Sequence, residues 1–290
     1  MSELDNLPSM EIWLNDVRNN VLINEPNMLS IFDIYRGEAL FGRSYIAHDL
    51  AQLEKGATIL EVGAGALLLS CQLIREGFKV VALEPVGDGF SHFVRLRELI
   101  LERANVLDCV PELLDQRAED LAIIDRFDYA FSINVMEHVN DVRGVITRVI
   151  ASLHVKSCYH FTCPNYTFPY EPHFNIFTLF SKSLTEKIFR SRIYSSGMQD
   201  PIGTWQSLNW ISVAQVSKIA SQMPELSVKF NRHFLVSTLA RMAYDKGFSD
   251  RRSGWMTTFI KGLVYLRLHH LAGLIPVTIQ PIIDCILTRK

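Results

Sequence analysis

The chain has 290 residues, 48% of them hydrophobic, and a formal net charge of −2. That is enough for one large domain or a domain with an appendage, built around a sizeable core. Near-neutral charge removes the whole-chain case for duplex DNA, whose phosphates demand a concentrated basic surface. The five cysteines (Cys71, Cys109, Cys158, Cys163 and Cys285) are scattered, odd in number and without C-x-x-C spacing. They read as reduced core residues of a cytosolic protein, with no structural zinc set.

Residues 1–34 read as an irregular or helical arm. Pro8 and Pro26 interrupt them and no sustained apolar run is present, so no signal peptide is expected. Helical spacing predicts a helix over 36–53, closed by Gly56. Thr58 to Val62 is an apolar run of strand type, Gly63 and Gly65 make a turn, and Ala66 to Glu76 returns to helical spacing. A second strand, Lys79 to Leu83, ends in Glu84. The next helix is expected from near Gly89 to about Arg103, with Phe93, Leu96, Ile100 and Leu101 as its core stripe. Glu112 to Gln116 is a short third strand, followed by Arg117-Ala118-Glu119-Asp120. Phe127 to Ile133 is the fourth, and Asn140 caps a helix from Asp141 to about His154. Ser157 to Thr162 is the fifth, ending at Cys163-Pro164. Strands and helices that alternate in this way make a parallel sheet with helices on both faces.

After Pro164 the rhythm breaks. Residues 165–175 are rich in aromatics and prolines and read as a loop. Short helices are expected within 176–190 and over 207–222, and Leu226 to Phe230 alternates like a strand. Residues 235–274 read as a helical insertion broken at Gly247 and Gly254, and Ile282 to Thr288 as a last strand returning to the sheet. From Leu235 onward there are eight Lys/Arg, three Asp and no Glu. A basic, apolar carboxyl-terminal part is compatible with peripheral association at a membrane surface, or with a solvated helical lid. Residues 271–287 contain Pro276, Gln280, Pro281 and Asp284 and are not a membrane span.

The segment ILEVGAGA, with acidic Glu61 two residues before Gly63-x-Gly65, resembles motif I of the class I S-adenosylmethionine (SAM) methyltransferases. Leu68 stands where a dinucleotide fingerprint has its third glycine, which disfavours a nicotinamide-dependent oxidoreductase. Leu67 stands where the methyltransferase pattern often has another small residue. Phe127-Asp128-Tyr129-Ala130 followed by Glu137-His138-Val139 resembles the post-strand-four motif of the small-molecule branch, as in the ubiquinone-biosynthesis O-methyltransferases. These matches cover about residues 40–165.

The resemblance implies a Rossmann-like, doubly wound, seven-stranded, mostly parallel α/β sheet with helical insertions in the carboxyl-terminal part. It places SAM binding in residues 35–165, and an acceptor-side loop, sheet completion and helical lid in 166–290. Glu84 then takes the ribose hydroxyls, and Ala118 and Glu119 lie at the adenine. Glu61, Gly63, Gly65 and Asn134 complete the cofactor set.

His138 is the natural base for deprotonating a hydroxyl, since imidazole titrates near working pH, with Glu137 and His173 beside it as catalytic candidates. Glu137, His138 and His173 are also candidates to converge on one divalent ion, as in the small-RNA 3′-end 2′-O-methyltransferases. Asn134 stands where those RNA enzymes carry a further acid, which puts a magnesium site in doubt, so Mg2+ is possible but not favoured and no metal ligands are assigned. Tyr166, Phe168 and Tyr170, with Phe174, form a candidate aromatic wall for the acceptor, into which Glu171 and His173 bring polar groups.

The expected acceptor is a hydroxyl on a small or lipid-linked molecule, a glycan sugar or a quinone-like ring. An RNA 2′-O-methyltransferase and a catalytically silent SAM-binding or protein-interaction member are the alternatives. Cytoplasmic location, close to a membrane, follows from the same features.

Overall fold

The computed structural model describes residues 9–85, 91–179, 181–198, 200–244 and 254–290. The helix start expected near Gly89 and the break expected at Gly247 lie outside those residues, as do the first eight residues of the arm. Seven strands form one sheet in the order β3-β2-β1-β4-β5-β7-β6. They are β1 (Thr58–Val62), β2 (Lys79–Leu83), β3 (Glu112–Leu114), β4 (Phe127–Ile133), β5 (Leu153–Pro164), β6 (Leu226–Phe230) and β7 (Ile282–Arg289). β1 pairs in parallel with β2 and β4, and β2 with β3, whereas β6 and β7 are antiparallel. This is the expected mostly parallel α/β architecture. The central strands β1, β2 and β4 are buried along most of their length, because helices cover both faces and leave no polar side to alternate.

The chain divides into two compact units, 1–133 with 147–159 and 134–146 with 160–290. In the first, α1 (Met10–Asn24) and α2 (Leu29–Tyr45) precede the sheet, with a single turn α3 (Ala47–Leu50). Trp13, Leu14, Val17 and Val21 on α1 are buried in the same core as β1. The Trp13 indole donates to Leu68 O at 3.0 Å, at the start of α4 (Leu68–Arg75). Arg103 on α5 (Ser91–Val106) grips Asp16 through both carboxylate oxygens. The helix expected over 36–53 is therefore two helices, beginning seven residues earlier. Nothing between Met28 and Gly37 stops the turn pattern, and Ile46 ends it. β5 starts at Leu153, directly after α6 (Val142–Ser152), earlier than the expected Ser157.

The second unit holds α7 (Lys182–Tyr194), α8 (Pro201–Ser207), α9 (Val213–Ser221), α10 (Phe234–Tyr244) and α11 (Gly254–Tyr265). Asp200 caps α8 at Gly203 N, and Ser212 caps α9 at Gln215 N. The helix expected over 207–222 begins only at Val213. The residues before it form a loop, because Leu208 is extended and Trp210 takes a positive φ of 60°. β7 is tied to β5 by His160 Nε2 and Asp284 Oδ1 at 2.6 Å, while Asp284 Oδ2 accepts from Asn231 Nδ2 at 2.8 Å.

Candidate active site

The first constellation lies at the carboxyl ends of β1 and β2, beside the β1/β4 position where the strand order reverses. In open α/β sheets this is where ligands bind. Gly63 and Gly65 have φ of 75° and 49°, a left-handed backbone that glycine adopts without penalty. The Gly63 N–H donates back to Leu83 O at 2.8 Å, which folds the turn over the end of β2. The Gly65 N–H donates to Glu84 Oε2 at 3.0 Å, joining the glycine turn to the acid that follows β2. Burial raises the Glu84 carboxyl above its ordinary value, against the Gly65 N–H and the nearby Arg97 guanidinium, which both lower it. Arg97, on α5, donates from Nη2 to Gly65 O at 3.1 Å, while its buried Nε has no hydrogen-bond partner.

Glu61 is buried at the end of β1 and accepts from the Ser70 hydroxyl on α4. Burial pushes its carboxyl up to about 8, with a smaller contribution from the Glu84 charge. Leu67 caps α4 with φ 66° while its side chain is wholly buried. The left-handed backbone there explains why a small residue suits this position, and core burial holds leucine in it. Ala118, buried, and Glu119, half-buried, lie on a separate 3-10 turn after β3.

The second constellation belongs entirely to the second unit. Asn134, directly after β4, turns the chain with φ 55°, and its N–H donates to Thr162 O at 2.9 Å. Asparagine tolerates this conformation better than most residues. Glu137 and His138 follow in a short loop, held by an asparagine from the α8–α9 connection. Asn209 Nδ2 donates to Met136 O at 2.7 Å and to Val139 O at 2.8 Å, and Asn209 N–H donates to Glu137 O at 2.8 Å. His138 Nδ1 lies 2.7 Å from Ser207 Oγ. Ser207 gives its one hydroxyl proton to Thr204 O at 2.9 Å, so it accepts from His138 Nδ1–H and leaves the lone pair on Nε2.

His173 joins them from the loop after β5. One ligand-type atom from each of Glu137, His138 and His173 lies within 4.8 Å of the others, and the two rings meet edge-on at 5.2 Å. His173 Nδ1 donates to Glu171 Oε1 at 2.6 Å. Glu171 is fully buried and also accepts from the His173 and Phe174 N–H groups and from the Tyr166 hydroxyl. It therefore holds His173 from behind. Glu137 is equally buried, yet neither carboxylate oxygen has a hydrogen-bond partner. Burial pushes Glu137 up to about 7, against the nearby His173, and pushes His138 down to about 3, with His173 and Lys182 adding to the fall.

Of the aromatic candidates, Tyr166 is buried and stacks on Trp210, with centroids 5.6 Å apart. Phe168 and Tyr170 are half-buried, and the Tyr170 hydroxyl donates to Asn175 Oδ1 at 2.8 Å. A bridge between Glu171 and Ile176 closes this loop on itself. Arg97, Ser207 and Asn209 escape a reading of the sequence alone. Arg97 looks like one of several charges on a helix face, and Ser207 and Asn209 sit in an expected helix with no motif around them.

The sheet, its strand order and the glycine turn define a class: the Rossmann-like fold of the SAM-dependent methyltransferases. A Galdieria sulphuraria protein assigned as a sarcosine dimethylglycine methyltransferase superposes with a TM-score of 0.50 at 16% identity, over 87% of this chain and 86% of that one. Phosphoethanolamine N-methyltransferase 2 of Haemonchus contortus, with SAM bound, gives 0.48 at 14% identity over 88% of this chain, which spans about half (52%) of that longer chain. No protein-family model matches. Within the class, the chain belongs to the same family as the uncharacterized proteins Rv1509 and MT1557 of Mycobacterium tuberculosis. Each is 46% identical over 282 residues, covering 97% of this chain and 95% of theirs.

Proposed function

We propose that the protein is a SAM-dependent methyltransferase acting on a hydroxyl of a small or lipid-linked acceptor, a glycan sugar or a quinone-like ring. The observation that carries the reading is the Glu84 carboxylate held by the Gly65 N–H beside the glycine turn, at the carboxyl end of β2. A half-buried acid there offers a second oxygen to a ribose diol, and the buried Arg97 Nε beside the turn has no hydrogen-bond partner within the protein. The residues present fit the cofactor. Gly63, Gly65, Glu61 and Glu84 would hold its amino-acid and ribose parts, Ala118 and Glu119 its adenine, with Asn134 as a further contact.

The cofactor supplies an electrophilic methyl group, so transfer needs no covalent enzyme intermediate. The chain's residues then have to orient the acceptor, exclude water and take one proton. His138, expected as the base because imidazole ordinarily titrates near working pH, is pushed down to about 3 by burial. It therefore stays neutral and accepts a hydrogen bond from the hydroxyl on Nε2, which orients the acceptor without holding its proton. Glu137, with its carboxyl pushed up to about 7, is matched to take that proton at working pH. Tyr166, Phe168 and Tyr170 would shape the acceptor side of residues 166–290, with Glu171 fixing His173.

A lipid-linked acceptor is supported by Phe259, Tyr265, Leu266, Leu271 and Leu274, all more than half exposed on and after α11. No helix among the described residues is long and apolar enough to cross a membrane. Calorimetric titration with S-adenosylhomocysteine tests the cofactor assignment. Micromolar binding is expected, and no binding with uptake of NADH instead would overturn it.

A further inference from the structure

We infer that Glu137, His138 and His173 form a binding site for a single first-row divalent transition metal ion, zinc being the best match. Glu137 carries the argument. Its carboxylate is wholly enclosed and both oxygens lack a hydrogen-bond partner, whereas the other buried acids among the described residues are paired with donors. Glu61 has Ser70, Glu171 has four donors, and Asp284 has His160 and Asn231. A buried carboxylate without donors costs several kcal/mol unless a cation or a proton compensates it.

The two histidines are prepared for the same ion. His138 donates from Nδ1 to Ser207, and His173 donates from Nδ1 to Glu171, so each neutral ring carries its lone pair on Nε2. His138 Nε2 lies 3.9 Å from Glu137 Oε1. A lone pair facing an acceptor at that distance is repulsive in the metal-free state, and an ion between them removes the repulsion. Metal-bound histidines characteristically donate their other nitrogen to a carboxylate or another oxygen, which sets the tautomer and aims the ring. Glu171 and Ser207 supply those oxygens here, on chain segments anchored by the loop hydrogen bonds already described.

Two imidazoles and one carboxylate suit zinc, cobalt or nickel, whereas magnesium takes oxygen ligands and keeps much of its water. This bears on the expectation, drawn from Asn134, that Mg2+ is not favoured. A missing carboxylate weighs against magnesium, and an ion held mainly by nitrogen does not need it. Ligands around a tetrahedral zinc lie roughly 3.4 Å apart. The three side chains, within 4.8 Å of one another, would draw in by at most about 1.4 Å, through rotations about their side-chain bonds. Three protein ligands leave one position open, the arrangement of a catalytic rather than a structural zinc. Its occupant would be an oxygen ligand, water or, on the methyltransferase reading, the acceptor hydroxyl. With the ion held, His138 Nε2 and Glu137 serve as ligands in place of their hydrogen-bonding and proton-accepting roles, and the ion itself would lower the pKa of that hydroxyl.

The test uses the untagged full chain, purified without chelator. Elemental analysis is expected to find one zinc per chain. Cobalt titrated into the stripped protein should develop the visible bands of a low-coordinate nitrogen–oxygen site. Glu137→Gln and His173→Ala should each bind at least about tenfold more weakly, as should Ser207→Ala through loss of the oxygen that aims His138. His154→Ala, at a half-exposed histidine of the other unit, should bind like wild type. If Glu137→Gln fails to fold, the half-exposed His173 and Ser207 variants still decide. Absence of a stoichiometric ion, tight binding unchanged in the His173 and Ser207 variants, or a preference for magnesium over zinc each overturns the site. S-adenosylhomocysteine titrated into stripped protein separates the two conclusions. A protein that binds the cofactor but takes up no ion loses only the ion, and one that takes up the ion but never binds the cofactor loses only the methyltransferase reading.

Discussion

Glu84 and Glu61, the acids on either side of the glycine turn, make opposite demands on a test. Glu84 already accepts one backbone N–H, so Glu84→Ala should weaken S-adenosylhomocysteine binding by about 1–3 kcal/mol, the worth of a charge-assisted hydrogen bond. Calorimetry would show it, and unchanged affinity would remove Glu84 from the ribose site. Glu61 is read through pH. Its folded carboxyl titrates near 8 against an ordinary value of 4.5, because burial disfavours the charged form. Between those values the folded state holds a proton that the unfolded state has released. The stabilisation is therefore complete below pH 4.5 and is lost as pH rises toward 8. Glu61→Gln should flatten that part of the melting-temperature profile. An identical slope in wild type and variant would mean that Glu61 is ionised in the fold.

At the scale of elements, β1, β2, β4 and β6 have the bounds expected from sequence, because each is a compact run of strand-forming residues flanked by clear turn or helix signals. The glycine turn was equally legible, since a left-handed backbone at a strand end asks for glycine. Leu67 shows the limit of that rule: it is left-handed without being glycine, and only its buried side chain explains why. Leu67→Gly should relieve backbone strain but lose more in packing, a net destabilisation of about 1–3 kcal/mol in chemical denaturation. Less legible was the frame of the Glu137–His138 loop. Asn209 lies about seventy residues further along the chain, and no local pattern marks a side chain that bonds two distant carbonyls. Asn209→Ala should leave those carbonyls without their donor and speed amide exchange across 136–139. Unaltered exchange there would show that the loop keeps its form without Asn209.

At the scale of the whole molecule, a formal net charge of −2 hides an uneven distribution of charge along the sequence. The basic residues past Leu235 accompany large exposed apolar side chains, among them Tyr265 at 87% and Leu274 at 74% exposure. Scattered apolar residues are ordinary on a protein surface, but several on one short stretch beside Lys261 and Arg267 are what an anionic interface attracts. Residues this exposed contribute little to folding, so replacing them should shift stability by no more than about 0.5 kcal/mol. The triple variant Phe259→Ser, Leu271→Ser, Leu274→Ser should therefore melt like wild type yet cosediment less with vesicles containing anionic lipid. Salt should weaken the wild-type association without abolishing it, because charge brings the surface to the bilayer while apolar burial keeps it there. Equal recovery of wild type and variant in the supernatant, with anionic and neutral vesicles alike, would detach the carboxyl-terminal helices from any membrane and favour a freely diffusing acceptor.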